Sequence, residues 1–377
     1  MIIMRAIKPV TMHSVSPRLF GQDEVNTGRQ VNLDLAKDIA IAFMILSHML
    51  EYSQTGVAKG LPYAITFIGA HPFGAPVFML CMGIGITYSH HRNDPAALCR
   101  RGVRLFLAAY ALNLVRALGV LAAGAATGRP GAMADGALGE ALIIDILQFA
   151  GLSCLLLGLL LRLRIPYPAI LAAAVAMSLG GSAIRFATTG HPASDAVLGL
   201  FAGIRGEVVE SYFPLLNWFV FVAAGYGMGT WLRRCQDPDR LYRILTPVTG
   251  LVFLGYTVYA APRGIGMYDT GTVLNFYHLR TWDAFICINA MMMSAGLWHF
   301  LLKKAPAGIR REITRCASDV LRIYLIQWFF VIWIFFCLMG HVLGIPRTPA
   351  VTLVSGLVTI AASTLLARVK PFSRIRL

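Results

Sequence analysis

Charge is scarce in this sequence. Only 14% of its 377 residues are Asp, Glu, Lys or Arg, against about 25% in an ordinary soluble domain. Acid is scarcer still, with 18 Asp and Glu against 33 Lys and Arg. Seven cysteines stand at positions 81, 99, 154, 235, 287, 316 and 337. None is in a CxxC or Cys/His spacing and several sit in apolar runs, so they read as small packing residues, and neither disulfides nor a metal is expected. No stretch alternates with the period of two that an outer-membrane barrel needs. GxSxG, HExxH, a Walker A loop and GxGxxG at a strand–helix turn are all missing. The first thirty residues lack the short apolar core and cleavage site of a secretory signal.

What is present is a series of apolar runs, in a chain that is 57% hydrophobic. Runs near 20 residues long define a polytopic membrane protein of the all-α class. Spans are expected near 33–51, 63–89, 101–124, 139–161, 167–187, 211–232, 244–261, 279–302, 317–340 and 349–368. About ten transmembrane helices put both termini on one side. The segments assigned to the cytosol hold 23 of the 33 Lys and Arg, and the outer segments hold 7. That bias alternates loop by loop and places both termini in the cytosol. It also accounts for the net charge of +15 without a nucleic-acid partner. The expected organisation is a cytosolic N-terminal tail at 1–30, partly disordered, one helical bundle at 31–369 in the cell (inner) membrane, and a basic cytosolic tail at 370–377. The outer connection at 188–210 reads as an interfacial or re-entrant helix.

The first span, NLDLAKDIAIAFMILSHMLE at 32–51, carries the most unusual pattern. Asp34, Lys37 and Asp38 sit near its start and His48 near its end. Ionisable groups in a spanning helix are costly and mark functional sites. His48 is eleven residues beyond Lys37, about 20° from eclipsed and roughly 16 Å further along the axis. A cation and an imidazole thus share one face, with Asp34 beside them. A neutral imidazole in a partly dry pocket suits a general base for a hydroxyl or amine. His71, in IGAHPFGAPVF, is the rival base. His71, Gly74 and Pro76 mark irregular backbone at the outer mouth, and Gly83 and Gly85 allow close helix approach.

At the start of the third span, Arg100, Arg101 and Arg104 form a cytosolic cluster. Arg101 and Arg104 are three apart and lie on one helix side, so both could grip phosphates such as those of coenzyme A. Asp145 in ALIIDILQF faces the bundle interior, with Arg116 its expected partner. Asp319 and Arg322 form an expected pair within one helix. His278, Arg280 and Asp283, in YHLRTWDAF, are expected at an outer mouth where an acceptor would bind. Buried charge among spans suits a secondary transporter or flippase for a glycan or lipid-linked substrate equally well.

Lys37-x10-His48 resembles the Arg-x10-His motif of the acyltransferase-three branch of transmembrane acyltransferases, with Lys for Arg. Arg101-x-x-Arg104 resembles that branch's Arg-x-x-Arg. The wider pattern is similar to bacterial relatives of heparan-alpha-glucosaminide N-acetyltransferase. It is carried by NLDLAKDIAIAFMILSHMLEY, APVFMLCMGIGITYS, DILQFAGLSCLLLGLLL, FPLLNWFVFVAAGYGMG, NFYHLRTWDAF and IYLIQWFFVIW, over residues 29–340. The resemblance implies transfer of an acyl group, usually acetyl, from cytosolic acetyl-CoA to a sugar or other hydroxyl or amine acceptor across the membrane. The implied partners are the acyl-CoA donor, a glycan or small-molecule acceptor and the lipid bilayer, and a homodimer is compatible with it. Lys37 departs from the motif, because an ammonium cannot make the bidentate contact of a guanidinium. In the glucosaminide enzyme the catalytic histidine lies between the first two spans, which brings His71 into play beside His48.

Overall fold

The structure is a computed structural model that describes residues 18–53, 59–271 and 274–375. The expected N-terminal tail at 1–17 and the last two residues of the C-terminal tail lie outside them. Among the described residues there is no strand, only isolated bridges.

The long helices are α1 (Val31–Ser53), α2 (Ala75–Tyr88), α3 (Pro95–Ala126), α4 (Pro130–Leu142), α5 (Ile146–Arg162), α6 (Tyr167–Ala183), α7 (Leu215–Arg233), α8 (Pro238–Ala260), α9 (Thr281–Lys303), α10 (Ala307–Trp328) and α11 (Pro349–Ala367). Local chemistry sets many of their starts. Asp94 accepts from the Ala97 amide at 3.0 Å and Asp237 from the Arg240 amide at 2.9 Å, each just before a proline that opens the helix. A capping side chain followed by proline satisfies free amides at the end where proline has none to lose.

Seven helical stretches among the described residues are long and apolar enough to cross a membrane: Gly60–Tyr88, Pro95–Ala126, Leu215–Arg233, Pro238–Arg263, Thr281–Lys303, Ala307–Val342 and Pro349–Ala367. Two apolar helices, Ile146–Arg162 and Tyr167–Ala183, are shorter. Large apolar side chains point outward along these helices, among them Leu107 and Leu114 on α3, Leu251 and Val258 on α8 and Leu365 on α11. In water such a surface would drive aggregation, whereas in a bilayer it faces hydrocarbon. The molecule is therefore an all-α polytopic membrane bundle.

α1 is the inner post of the bundle. It packs against α9, α10, α11, α2 and the segment leading into α2. α3 lies along α4 and α5, and α7 along α2 and α6. The α2–α7 seam is made by Gly83 and Gly225. A Cβ on Gly83 would stand 2.2 Å from the Val222 carbonyl oxygen, and one on Gly225 would stand 2.1 Å from that of Leu80. Gly85, expected to share this role, has nothing within 4 Å of its Cβ position.

Two expected spans are broken. The second is π-helical over Ala64–Ala70, turns once at His71–Phe73 and restarts after Gly74. The Gly74 amide donates to the Ala70 carbonyl at 2.8 Å, an approach at which a Cβ would be 2.5 Å from that oxygen. The fourth expected span, 139–161, is two pieces. Asp145 leaves helical geometry and begins α5 with a reciprocal capping box to Gln148. The connection at 188–210 contains only the short helix Pro192–Leu198, and the rest is loop pinned by bridges such as Ala187 to Ile204.

From residue 18 the expected tail is a strap. Phe20 bridges Cys235, and the Gly21 and Asn26 amides donate to the carbonyls of Arg234 and Arg233. Arg29 reaches the Thr314 carbonyl, and Arg322 reaches that of Ile375. Both ends of the described chain thus meet α10.

Candidate active site

α1 carries His48 and Glu51 into the interior, three residues apart and so on one side of the helix. Two small cavities of about 20 Å³ each flank them, and His48, Glu51, Phe213 and Tyr277 line both. Each has room for about one water molecule.

In the first cavity His48 meets Ser47 and His71. The His71 ring stacks on Phe276 with centroids 3.8 Å apart and planes 3° apart. Its Nδ1 lies 2.9 Å from the Met267 carbonyl oxygen. A carbonyl only accepts, so Nδ1 carries the proton and Nε2 keeps its lone pair. The Met267 turn is itself held by Asp283, which accepts from the Met267 amide at 3.3 Å and the Tyr256 hydroxyl at 2.7 Å.

In the second cavity His48 and Glu51 meet Tyr52, Arg116, Asp145 and Trp328. Arg116, whose side chain is 1% exposed, pairs with Glu140 at 2.7 Å and Asp145 at 3.1 Å. Its guanidinium carbon lies 3.7 Å from the centre of the Trp328 ring. Tyr52 donates to Glu140 at 2.5 Å, and Tyr324 donates to Asp145 at 3.0 Å. Two carboxylates thus answer the charge of the cation, which is what makes its burial tolerable, although its Nε is buried without a hydrogen-bond partner. His48 stacks on Trp328 with centroids 4.4 Å apart, and its Nδ1 faces the Gln327 amide. An amide can donate or accept there, so this contact leaves either His48 tautomer available.

The two π-helical stretches meet this region. Ala64–Ala70 ends at His71, and Phe329–Val342 begins just after Gln327 and Trp328. Insertions of this kind recur at functional sites because they re-aim side chains without ending the helix. The segment around Tyr277 is pinned beside the chamber. Trp218 donates to the Tyr277 carbonyl at 2.6 Å and Asn217 to that of Leu279 at 2.9 Å, and Tyr277 donates to Glu51 at 2.8 Å.

The residues singled out in the sequence separate into groups. His48 and His71 share one cavity, and Arg116 and Asp145 are joined as expected. Asp34 and Lys37 do not line it. Asp34 is held between Arg29 at 2.6 Å and Lys37 at 2.8 Å, tying the strap to the start of α1. Arg100, Arg101 and Arg104 line a separate hollow of about 210 Å³ with His91 and Arg92, at the N-terminal end of α3. The Ala97 amide, with Arg100 3.3 Å away, holds the Asp94 carboxyl below its ordinary range. The expected outer trio is divided. His278 is buried with Nε2 2.6 Å from the Ser211 carbonyl, Asp283 is buried on the Met267 turn, and Arg280 is exposed. Sequence reading passed over Glu51, Tyr277, Gln327 and Trp328. A carboxylate one turn beyond His48 was the available signal for Glu51. The other three are brought in by tertiary packing alone.

The membrane bundle thus holds a polar, two-histidine chamber in its interior and a basic hollow at the N-terminal end of α3. The family model for heparan-alpha-glucosaminide N-acetyltransferase, catalytic, matches residues 29–259. The chain belongs to that family, and so to the membrane acetyltransferases in general. The match takes in His48, Glu51, His71, Arg101, Arg116 and Asp145, and ends before Tyr277, Gln327 and Trp328. Two of the resembling stretches, NFYHLRTWDAF and IYLIQWFFVIW, lie beyond it. No curated protein and no solved structure matches the chain.

Proposed function

We propose that this protein takes an acetyl group from cytosolic acetyl-CoA and transfers it, within the cell membrane, to a hydroxyl or amine acceptor of sugar type arriving from the other side. The observation that carries this reading is the meeting of His48 and His71 in one buried cavity beside the compensated Arg116 cluster.

His71 is the general base. Its tautomer is held by the Met267 carbonyl, which leaves Nε2 to take a proton, as an oriented imidazole does in other acyl transfers. The acceptor oxygen or nitrogen loses its proton to Nε2 and bonds to the acetyl carbon. The carbon–sulfur bond breaks, and the departing thiolate takes the proton back from His71. His48 serves the carbonyl side. With the Gln327 amide donating to Nδ1, His48 Nε2–H is a donor for the oxygen that gains charge. Phe213, Phe276 and Tyr277 keep bulk water out of the chamber, so the thioester meets the acceptor rather than hydroxide.

Arg101 and Arg104, with Arg100 at the rim, hold the phosphates of coenzyme A in the basic hollow. α3 runs on from there to Arg116, about 22 Å further for fifteen residues of helix, so one rigid element links donor site and chamber. The positive-inside charge pattern supports a cytosolic position for that hollow.

The test is purification in mild detergent followed by mass spectrometry for bound coenzyme A and by thermal-shift titration with acetyl-CoA. Acetyl-CoA stabilises the native protein, and the stabilisation is lost on Arg101→Gln with Arg104→Gln. No binding by the native protein would turn the reading towards a transporter.

A further inference from the structure

The two chamber cavities are tiny, yet a much larger hollow lies against their wall. A cleft of about 680 Å³ runs between α1, α9 and the segment leading into α2. Phe43, Ile65, Ile68, Phe73, Leu297 and Trp298 are among its walls. The one hydroxyl in its lining, Ser294, is spent on the Met291 carbonyl at 2.8 Å. The Trp298 indole N–H is the one other polar group in that lining, so the cleft offers a sugar or ordered water few partners.

Its position relative to the chamber is specific. Gly69 and Phe73 line the cleft, while Ala70, His71 and Gly74, from the same turns, line the chamber. A single thickness of broken helix separates them. The basic hollow lies elsewhere, built from α3 with the ends of α2 and α5. The basic hollow and the cleft thus share no lining residue. A largely apolar cleft on the flank of a membrane bundle suits hydrocarbon, since little in it would reward a polar ligand.

Building on the acetyl-transfer reading, we propose that this cleft binds the hydrocarbon chain of the acceptor, which makes the acceptor a lipid or lipid-linked sugar rather than a free saccharide. The chain lies along Ile65, Gly69 and Phe73, and the broken turn between cleft and chamber must part for the headgroup to present its hydroxyl or amine to His71. Because the chain leaves one hydrocarbon environment for another, it gains little from the hydrophobic effect. Selection then rests on shape and van der Waals packing.

The experiment compares the native protein with Leu297→Trp and Ile68→Trp, each of which fills the cleft from a position outside the chamber. Lipids retained after purification in mild detergent are identified by mass spectrometry, and membranes are incubated with acetyl-CoA labelled in the acetyl group. The expected result is one lipid class retained by the native protein and depleted at least about tenfold in both variants, with label recovered in the organic extract. Thermal stabilisation by acetyl-CoA persists in the variants. Retention of lipids in the proportions of the surrounding membrane, unchanged in the variants, overturns the proposal, as does label found only in water-soluble product. That second result leaves acetyl transfer standing. A specific lipid lost from the variants, in a protein that neither binds acetyl-CoA nor transfers label, would keep the cleft as a lipid site. It would overturn both the acceptor role and the acetyltransferase reading.

Discussion

The His71 Nδ1 lies 2.9 Å from the Met267 carbonyl oxygen, and this contact decides which nitrogen of the chamber's second imidazole is basic. Met267 sits in a turn outside the membrane-spanning helices, and Asp283 holds that turn from the first residues of α9. A residue far from His71 in sequence therefore orients it through one backbone carbonyl.

Removing that support has a definite expected effect. Asp283→Ala frees the Met267 amide and the Tyr256 hydroxyl, and the His71 ring loses its fixed partner. Turnover falls by about tenfold to a hundredfold, the range for disturbed outer partners of a functional histidine. Acetyl-CoA binding, measured by thermal shift, is unchanged because the basic hollow is untouched.

Arg116 is a stability residue before it is anything else. Arg116→Ala leaves Asp145 and Glu140 buried without their cation, at a cost of about 3–5 kcal/mol. The expected outcome is a large drop in melting temperature in detergent, or failure to accumulate in the membrane. Asp145→Asn keeps the acceptor for the Ile146 amide and loses less.

The α2–α7 seam discriminates between two glycines of one motif. Gly83→Val drives a side chain into the Val222 carbonyl and lowers the melting temperature sharply, because well-packed interfaces do not yield. Gly85→Ala meets open space and is neutral or stabilising by about 0.4–1 kcal/mol. Melting curves of the two variants check both.

The donor hollow is electrostatic and should behave so. Neutralising Arg101 and Arg104 raises the KM for acetyl-CoA by at least about tenfold, since charge-assisted contacts to phosphate are lost. The native KM rises with added salt, and the double variant responds less. A KM unchanged by the double substitution contradicts the placement.

Much of the fold was legible from hydropathy, because near-20-residue apolar runs leave a helix little choice in a bilayer. The breaks were legible only in part: His71, Gly74 and Pro76 mark irregular backbone without showing its form. Nothing in FIGAHPFGAP distinguishes a π-helical approach and a restart at Gly74 from one kinked span, and the capping box at Asp145 is hidden inside an apolar run. Of the candidate site, His48, His71, Arg116 and Asp145 stood out, since ionisable groups among apolar neighbours must be partnered. Gln327 and Trp328 lay in the resembling stretch IYLIQWFFVIW but were not singled out, because an aromatic and an amide on a spanning helix look like packing until a histidine is found against them. Lys37 and His48 lie along one continuous helix, α1, but Lys37 pairs with Asp34, which also pairs with Arg29, roughly 16 Å of helix from His48.

The central claim is that two imidazoles divide the work of one acyl transfer. It is tested most directly by measuring label transferred from acetyl-CoA in membranes containing the native protein, His71→Gln or His48→Gln. Glutamine keeps an N–H donor and has no site that takes up a proton at neutral pH. The account predicts that His71→Gln loses at least about a hundredfold in rate, while His48→Gln retains a measurable fraction, well above that of His48→Ala. Native-level transfer by His71→Gln would contradict it.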